Sequence, residues 1–272
     1  MKLGVFVHLS QNIREDFKAL KDNGFSTCQL DVWDDALKTD EMAEKVNSSA
    51  AEFGIEITAL WCGWEGPSCG KWNFYDGPLC LGLVPVPYRY ARINNLIKGS
   101  EFAKKIGVKK MVTHMGFLPE NPCSSEFYEV VSTIKIVAEH CKMNSQYLLF
   151  ETGQETPVAL RRTIEAVNTG NLGINLDPAN LILYGKANPV DALDVFGEFV
   201  MGVHAKDGVY PVNGHDLGEE KPLGQGKVNY PALVKKLKEV GYDGALTIER
   251  EISGEQQLKD IMMAKKLLEA LI

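Results

Sequence analysis

A single (β/α)8 barrel is the fold this chain predicts, and three observations carry the prediction. Short β-rich runs alternate with amphipathic segments from one end to the other, the pattern of a parallel sheet with helical crossovers. Eight such units can be counted, which argues for closure, and no glycine-rich phosphate loop supports an open, doubly wound sheet instead. With 272 residues and 45% hydrophobic content, the chain has the size of barrels of about 250 residues that form one domain. Residues 1–272 are therefore read as one domain.

The elements follow in order. The first three strands are Leu3–Leu9, Thr27–Trp33 and Ile57–Cys62, with helices over Ile13–Asn23, Asp40–Phe53 and Tyr88–Ile106. Strands Lys110–Met115 and Tyr147–Glu151 flank a helix over Ser125–Lys142. In that helix Phe127, Val130, Val131, Ile134, Val137, Ala138 and Cys141 recur at three- and four-residue steps, while Glu129, Lys135, Glu139 and Lys142 fall on the other face. The remaining strands are Leu172–Asp177, Gly202–Lys206 and Ala245–Arg250, with helices over Pro157–Asn168, Pro189–Phe199, Tyr230–Val240 and Glu255–Leu271. Gly24, Gly54, Gly107 and Gly241 follow apparent helix ends, where a left-handed cap costs least without a Cβ.

Two connections are much longer than the usual two to six residues, and both follow strands: Gly63–Pro87, rich in aromatic residues, and Asp207–Asn229, rich in glycine. Loops after strands lie on the catalytic face of a barrel, so both are expected to wall or cover a pocket, the alternative being decorative surface loops.

Formal charge is −7 and no basic stripe appears, which disfavours nucleic acid as a partner. No apolar segment reaches the roughly 20 residues of a membrane helix, and Met1–Leu9 reads as a strand and not as a secretory signal. A cytoplasmic protein with no membrane partner is expected, and association into a homo-oligomer is compatible with the sequence. Cys28, Cys62, Cys69, Cys80, Cys123 and Cys141 form no Cys-x-x-Cys pair or regular framework, so reduced thiols are expected; a zinc site from Cys62, Cys69 and Cys80 has irregular spacing.

Candidate chemistry gathers at strand ends. Glu151, Asp177, His204 and Glu249 each close a short apolar run, in Leu148–Glu151, Ile174–Asp177, Met201–His204 and Leu246–Glu249. Three carboxylates and an imidazole form a hard ligand set that suits Mn²⁺ or Mg²⁺, with Zn²⁺ and Co²⁺ also compatible. Taken singly, each residue has another reading. His204 can be a hydrogen-bonded barrel histidine, Asp177 can cap the turn into Pro178, and Glu151 and Glu249 can belong to buried ion pairs. Burying like charges without a cation is costly, so convergence of all four favours the metal.

The segments Phe150-Glu151-Thr152-Gly153, Leu176-Asp177-Pro178-Ala179-Asn180, Val203-His204-Ala205-Lys206-Asp207 and Thr247-Ile248-Glu249 resemble the xylose isomerase-like family of barrels. So do the Gly224-Gln225-Gly226 turn and the Gly241-Tyr242-Asp243-Gly244 lead into the last strand. The family includes sugar isomerases, ketose epimerases, inosose dehydratases and apurinic endonucleases. The resemblance implies one divalent cation on Glu151, Asp177, His204 and Glu249, with Glu151 and Glu249 as proton-transferring bases. It further implies isomerisation or epimerisation of a small sugar or sugar derivative through an enediolate. The alternatives are a metal-dependent dehydratase of a keto-sugar or inosose, and a carbohydrate-binding subunit without activity.

Two departures narrow the resemblance. Ketose 3-epimerases carry a Glu-x-x-Asn-Arg-x-Glu segment where this chain has Glu151-Thr152-Gly153-Gln154-Glu155-Thr156-Pro157. They also place a histidine where Asn180 stands, a position that apurinic endonucleases likewise use for a metal-binding histidine.

Several further residues are candidates for substrate contact. His114 closes Met111–His114 and can bond a hydroxyl or serve structurally. Lys206 shares the side of its strand with His204, and either reaches a substrate oxygen or a phosphate, or pairs with Asp207 or Glu249. Trp33 and Trp61 can cover the apolar face of a sugar ring or fill core. Asn180 and Glu155 can contact substrate, cap a helix or face solvent. His8 and His215 have spacing that selects no role, and Arg89 and Arg92 either bind phosphate or are solvated.

Overall fold

The computed structural model describes residues 1–64, 66–67 and 72–272. Eight strands form the barrel: β1 (Lys2–His8), β2 (Thr27–Val32), β3 (Glu56–Cys62), β4 (Lys110–Thr113), β5 (Tyr147–Glu151), β6 (Leu172–Leu176), β7 (Val200–Ala205) and β10 (Ala245–Ile248). They close in the order β1-β10-β7-β6-β5-β4-β3-β2, and every neighbouring pair is parallel. The short strands β8 (Asp207–Gly208) and β9 (Glu220–Lys221) form an antiparallel pair outside the barrel.

Outer helices are α1 (Ile13–Asp22), α2 (Asp40–Phe53), α4 (Val86–Lys105), α5 (Ser125–Met143), α6 (Pro157–Val167), α8 (Pro189–Phe196), α9 (Tyr230–Glu239) and α10 (Glu255–Glu269). The stripe on α5 buries Phe127, Val130, Ile134, Val137, Ala138 and Cys141, and Ser124 caps the helix by accepting the Phe127 N–H at 3.2 Å. Among the described residues no helix is long and apolar enough to cross a membrane.

Period-two alternation decides what enters the barrel. In β2, Cys28, Leu30 and Val32 pack in the core shared with the outer helices, while Gln29 reaches His204 across the interior. Register then sets neighbours at the C-terminal rim: His8 lies opposite Asp31, Thr247 opposite His204, and Glu151 opposite Asn175.

Two elements depart from expectation. The short helix α7 (Pro178–Leu183) starts directly after Asp177, and α8 ends at Phe196 in a 3₁₀ turn, Gly197–Phe199. A further short helix, α3 (Gly77–Cys80), lies in the first long connection. Beyond α3 the chain presses on the end of β4. Leu83 N donates to Met115 O at 2.9 Å, and Gly82 takes φ +62° where a Cβ would fall 2.1 Å from the Met115 carbonyl.

The two long connections meet over the barrel mouth. Asn73 and Asp216 form a β-bridge, Phe74 N donates to His215 O at 3.1 Å, and Tyr75 stacks on His215. Arg92 and Arg89 are correspondingly neither solvated nor turned toward a ligand. Arg92 is fully buried and donates to Gly82 O and Leu79 O at 2.7 and 2.8 Å, while Arg89 donates to Leu83 O and Val84 O at 2.9 and 2.8 Å. These guanidiniums satisfy backbone carbonyls of the first long connection.

The expectation of reduced cysteines fails at Cys80, which is disulfide-bonded, whereas Cys28, Cys62, Cys123 and Cys141 are free. Irregular spacing inside a long loop hid it. Cys62 is buried, with Gly63 O and Asn95 O as its nearest acceptors, so a zinc site with Cys80 does not form; Cys69 lies outside the described residues.

Candidate metal centre

Glu151, Asp177, His204 and Glu249, from the ends of β5, β6, β7 and β10, meet at the C-terminal rim. One ligand atom from each lies within 4.8 Å of all the others. His204 Nδ1 is 3.1 Å from Glu151 Oε1, 3.1 Å from Glu249 Oε2 and 3.9 Å from Asp177 Oδ2. All but Glu249 are fully buried.

Asp177 caps the turn into Pro178, as its sequence position suggested, and keeps its second carboxyl oxygen turned into the cluster. Its Oδ1 accepts the Asn180 N–H at 2.9 Å and caps α7, while Oδ2 is buried with no hydrogen-bond partner. An orphaned carboxylate oxygen aimed into two other carboxylates and an imidazole is what a divalent cation would satisfy. The donor set fits such an ion.

The electrostatics agree. Burial, reinforced by the Glu249 and Glu151 carboxylates, outweighs Lys206 and pushes Asp177 up to about 7. Burial also opposes ionisation of Glu151, but the facing imidazoles of His114 and His204 outweigh it and hold its carboxyl below the usual range. For Glu249 the same opposition from burial is overcome by Lys206 and His204. Burial would lower His204, yet Glu151 and Glu249 raise it well above an ordinary imidazole.

His204 is oriented from within the barrel by residues that sequence reasoning missed. Gln29 Nε2 donates to Asn175 Oδ1 at 3.0 Å, which leaves Gln29 Oε1 facing His204 Nε2 at 2.9 Å. The ring therefore donates through Nε2 and presents Nδ1 to the carboxylates, the outer-shell arrangement that fixes a metal-binding tautomer. Gln29 is a polar side chain inside an apolar strand, two residues before Asp31 on the same face; that anomaly was the available signal.

The other predicted residues surround the cluster. Trp61 Nε1 donates to Glu151 Oε2, and His114 Nε2 lies 3.9 Å from the same oxygen. Trp33 packs on Trp61 with ring centroids 4.9 Å apart and remains 43% exposed. Asn180 Nδ2 approaches Glu151 Oε1 at 3.5 Å. Lys206 Nζ is buried among Asp177 Oδ2 at 3.6 Å, Glu249 Oε2 at 3.4 Å and the Glu251 carboxylate. Asp207 turns away from that amine and accepts backbone N–H groups. Glu155 neither caps a helix nor faces solvent: it is 3% exposed, and Thr156 caps α6.

Above the cluster lies a pocket of about 440 Å³, within the range of ligand sites. Its wall includes Trp33, Trp61, Trp72, His114, Asn180 and Tyr184. His8 joins it at the rim, its Nδ1 2.7 Å from Asp31, whose Oδ2 also accepts from Trp33 Nε1 at 3.0 Å.

A family model described as xylose isomerase-like TIM barrel matches residues 17–269. The chain belongs to the xylose isomerase-like TIM barrel family. A xylose isomerase domain protein from Planctomyces limnophilus is 35% identical and superposes with a TM-score of 0.92, over 99% of this chain and 96% of that one. A 3-keto-D-glucoside 4-epimerase from E. coli shares this family's fold at 17% identity, with a TM-score of 0.74 over 99% of both chains. An uncharacterized protein of Methanocaldococcus jannaschii is 28% identical over 179 residues; the match spans 62% of this chain and 58% of that protein.

Proposed function

We propose that this chain is a divalent-metal-dependent isomerase or epimerase of a small sugar or sugar derivative, acting by proton transfer through an enediolate. The observation that carries the reading is the convergence of Glu151, Asp177, His204 and Glu249 beneath a pocket walled by tryptophans. The E. coli epimerase of the same fold acts on a keto-sugar, which agrees with this substrate class.

Glu151, Asp177, His204 and Glu249 would hold Mn²⁺ or Mg²⁺, which supplies positive charge against the oxygens that become negative when a C–H beside a carbonyl loses its proton. Glu151 and Glu249 approach from strands separated by β6 and β7, so each can serve as the base for one face of a bound substrate. Trp61 and His114 fix Glu151 from one side; Lys206 fixes Glu249 from the other. Both carboxylates are thus held ionised and oriented. The exposed face of Trp33 covers the apolar side of a sugar ring.

The test is incubation of Mn²⁺-loaded protein with a panel of ketoses, inososes and keto-glycosides in deuterated water. Deuterium uptake beside the carbonyl with the carbon skeleton and oxygen count preserved is the expected result. Loss of water would make the protein a dehydratase. Absence of both uptake and conversion would leave a sugar-binding barrel and end the catalytic reading.

A further inference from the structure

We infer that the pocket is specific for an uncharged polyhydroxy substrate and discriminates against its phosphate esters, with Asp31, Glu220 and Glu251 forming the wall that sets this preference. The inference rests on the reading of the pocket as a sugar site and extends it to charge.

Three independent features support it. The first is the wall. Among its described residues are the carboxylates of Asp31, Glu151, Glu220, Glu249 and Glu251, the imidazoles of His8 and His114, and no arginine or lysine. A phosphate ester is recognised by charge-assisted donors, most often guanidinium or ammonium groups. A dication together with Lys206 would neutralise Glu151, Asp177 and Glu249. Arg250 Nη1, 2.8 Å from Glu220 Oε2, offsets one more carboxylate while also serving Asp260 at 2.8 Å. Even with a protonated His8 set against Asp31 at 2.7 Å, the described wall keeps a negative excess on Glu220 and Glu251.

The second feature is that, among the described residues, Lys206, Arg89 and Arg92 near the mouth are already engaged. Lys206 is enclosed by Asp177, Glu249 and Glu251. Arg89 and Arg92 are turned into the loop that they brace, on the carbonyls of Leu79, Gly82, Leu83 and Val84.

The third lies in the loop after β7, in the region where barrels of this architecture commonly hold phosphate. Its backbone N–H groups converge on an anion, but the anion belongs to the chain. Asp207 Oδ1 accepts from Gly208 N at 2.8 Å and Val228 N at 3.0 Å, and Oδ2 from Gly224 N at 2.9 Å and Gly226 N at 3.0 Å. A Cβ on Gly226 would fall 2.1 Å from Asp207 Oδ1, so the nest is closed tightly around its own carboxylate and offers no room for a second anion.

Carboxylates suit hydroxyl groups instead. Each has about four lone-pair positions. Asp31 uses part of its capacity on His8 and Trp33, and Glu220 on Glu251 N at 3.1 Å. The remaining positions accept hydroxyl hydrogens, and the tryptophans receive the C–H face.

Matched pairs test this: a ketohexose and a keto-glycoside, each against its terminal phosphate ester, titrated calorimetrically into Mn²⁺-loaded protein and followed separately for deuterium uptake. The neutral member is expected to bind about tenfold more tightly or better, since like charges facing each other across a contact suppress the wrong partner. E251Q is expected to narrow that ratio. An ester that binds as well as the neutral sugar overturns the inference, as does an E251Q ratio equal to that of wild type, or no binding of either member. Neutral preference without deuterium uptake would sustain the charge inference and remove the enediolate chemistry. Uptake with the ester preferred would do the reverse.

Discussion

Glu155 shows how far one buried acid can bend the behaviour of the molecule. Neither carboxyl oxygen has a hydrogen-bond partner, and burial pushes its pKa up to about 8. In the unfolded chain a glutamate loses its proton near pH 4.3, so between roughly pH 4.3 and 8 the folded state binds more protons than the unfolded one. Stability therefore falls as pH rises through that window, by about 1.4 kcal/mol per pH unit at most. Glu155→Gln has no proton to lose. Its stability relative to wild type is expected to be higher at pH 8 than at pH 5 by a few kcal/mol, measured by urea unfolding at both values. An equal difference at the two pH values would mean that Glu155 is ionised and satisfied. In the sequence Glu155 can contact substrate, cap a helix or face solvent; its burial comes with the whole of residues 152–155, all buried after β5, which no local signal announces.

At the scale of elements, the convergence of Glu151, Asp177, His204 and Glu249 was legible because each closes an apolar run and parallel strands end on one rim. The residues that orient them were not. Gln29 and Asn175 lie on β2 and β6, 146 positions apart, and only barrel closure brings them together under His204. Helix α7 was missed because Asp177 is at once a strand end and an N-cap, so the chain turns helical with no intervening loop.

Packing between elements carries a further prediction at Gly99, in the interior of α4. Glycine to alanine within an exposed helix gains about 1 kcal/mol. Here the new Cβ would lie 2.3 Å from Cys62 Sγ and 3.3 Å from Cys62 Cβ, on the strand β3 that α4 covers. Overpacking of this kind costs about 1–3 kcal/mol, so Gly99→Ala is expected to destabilise. Removing the sulfur should reverse the sign: in a Cys62→Ala background, Gly99→Ala becomes neutral or stabilising by thermal unfolding. A stabilised single variant would show that helix and strand do not press together as described.

For the whole molecule, the cluster at the rim opposes folding, since the barrel must bury three acids within 4.8 Å of one another against a single imidazole and the nearby Lys206. That cost is invisible in composition, where −7 spread over 272 residues looks unremarkable. A cation that binds only the folded chain adds RT ln(1 + [L]/Kd), about 2.7 kcal/mol at a hundredfold excess over Kd. For a chain of this size that corresponds to roughly 5–10 °C in Tm, scaling from about 2–4 °C per kcal/mol. Mn²⁺ should therefore raise Tm and EDTA should reverse the rise. Glu249→Gln, which removes a ligand charge, should abolish it. Gln29→Leu keeps all four ligands but releases His204 from its tautomer, and outer-shell losses of this kind weaken metal binding about 10–100-fold. At fixed Mn²⁺ it should retain a smaller rise, recovered as the metal concentration is increased. If Tm is indifferent to Mn²⁺ and EDTA in the wild type, the acids must be held by protonation, His204 and Lys206. The barrel mouth would then be an ion-paired structural knot with no metal chemistry to perform.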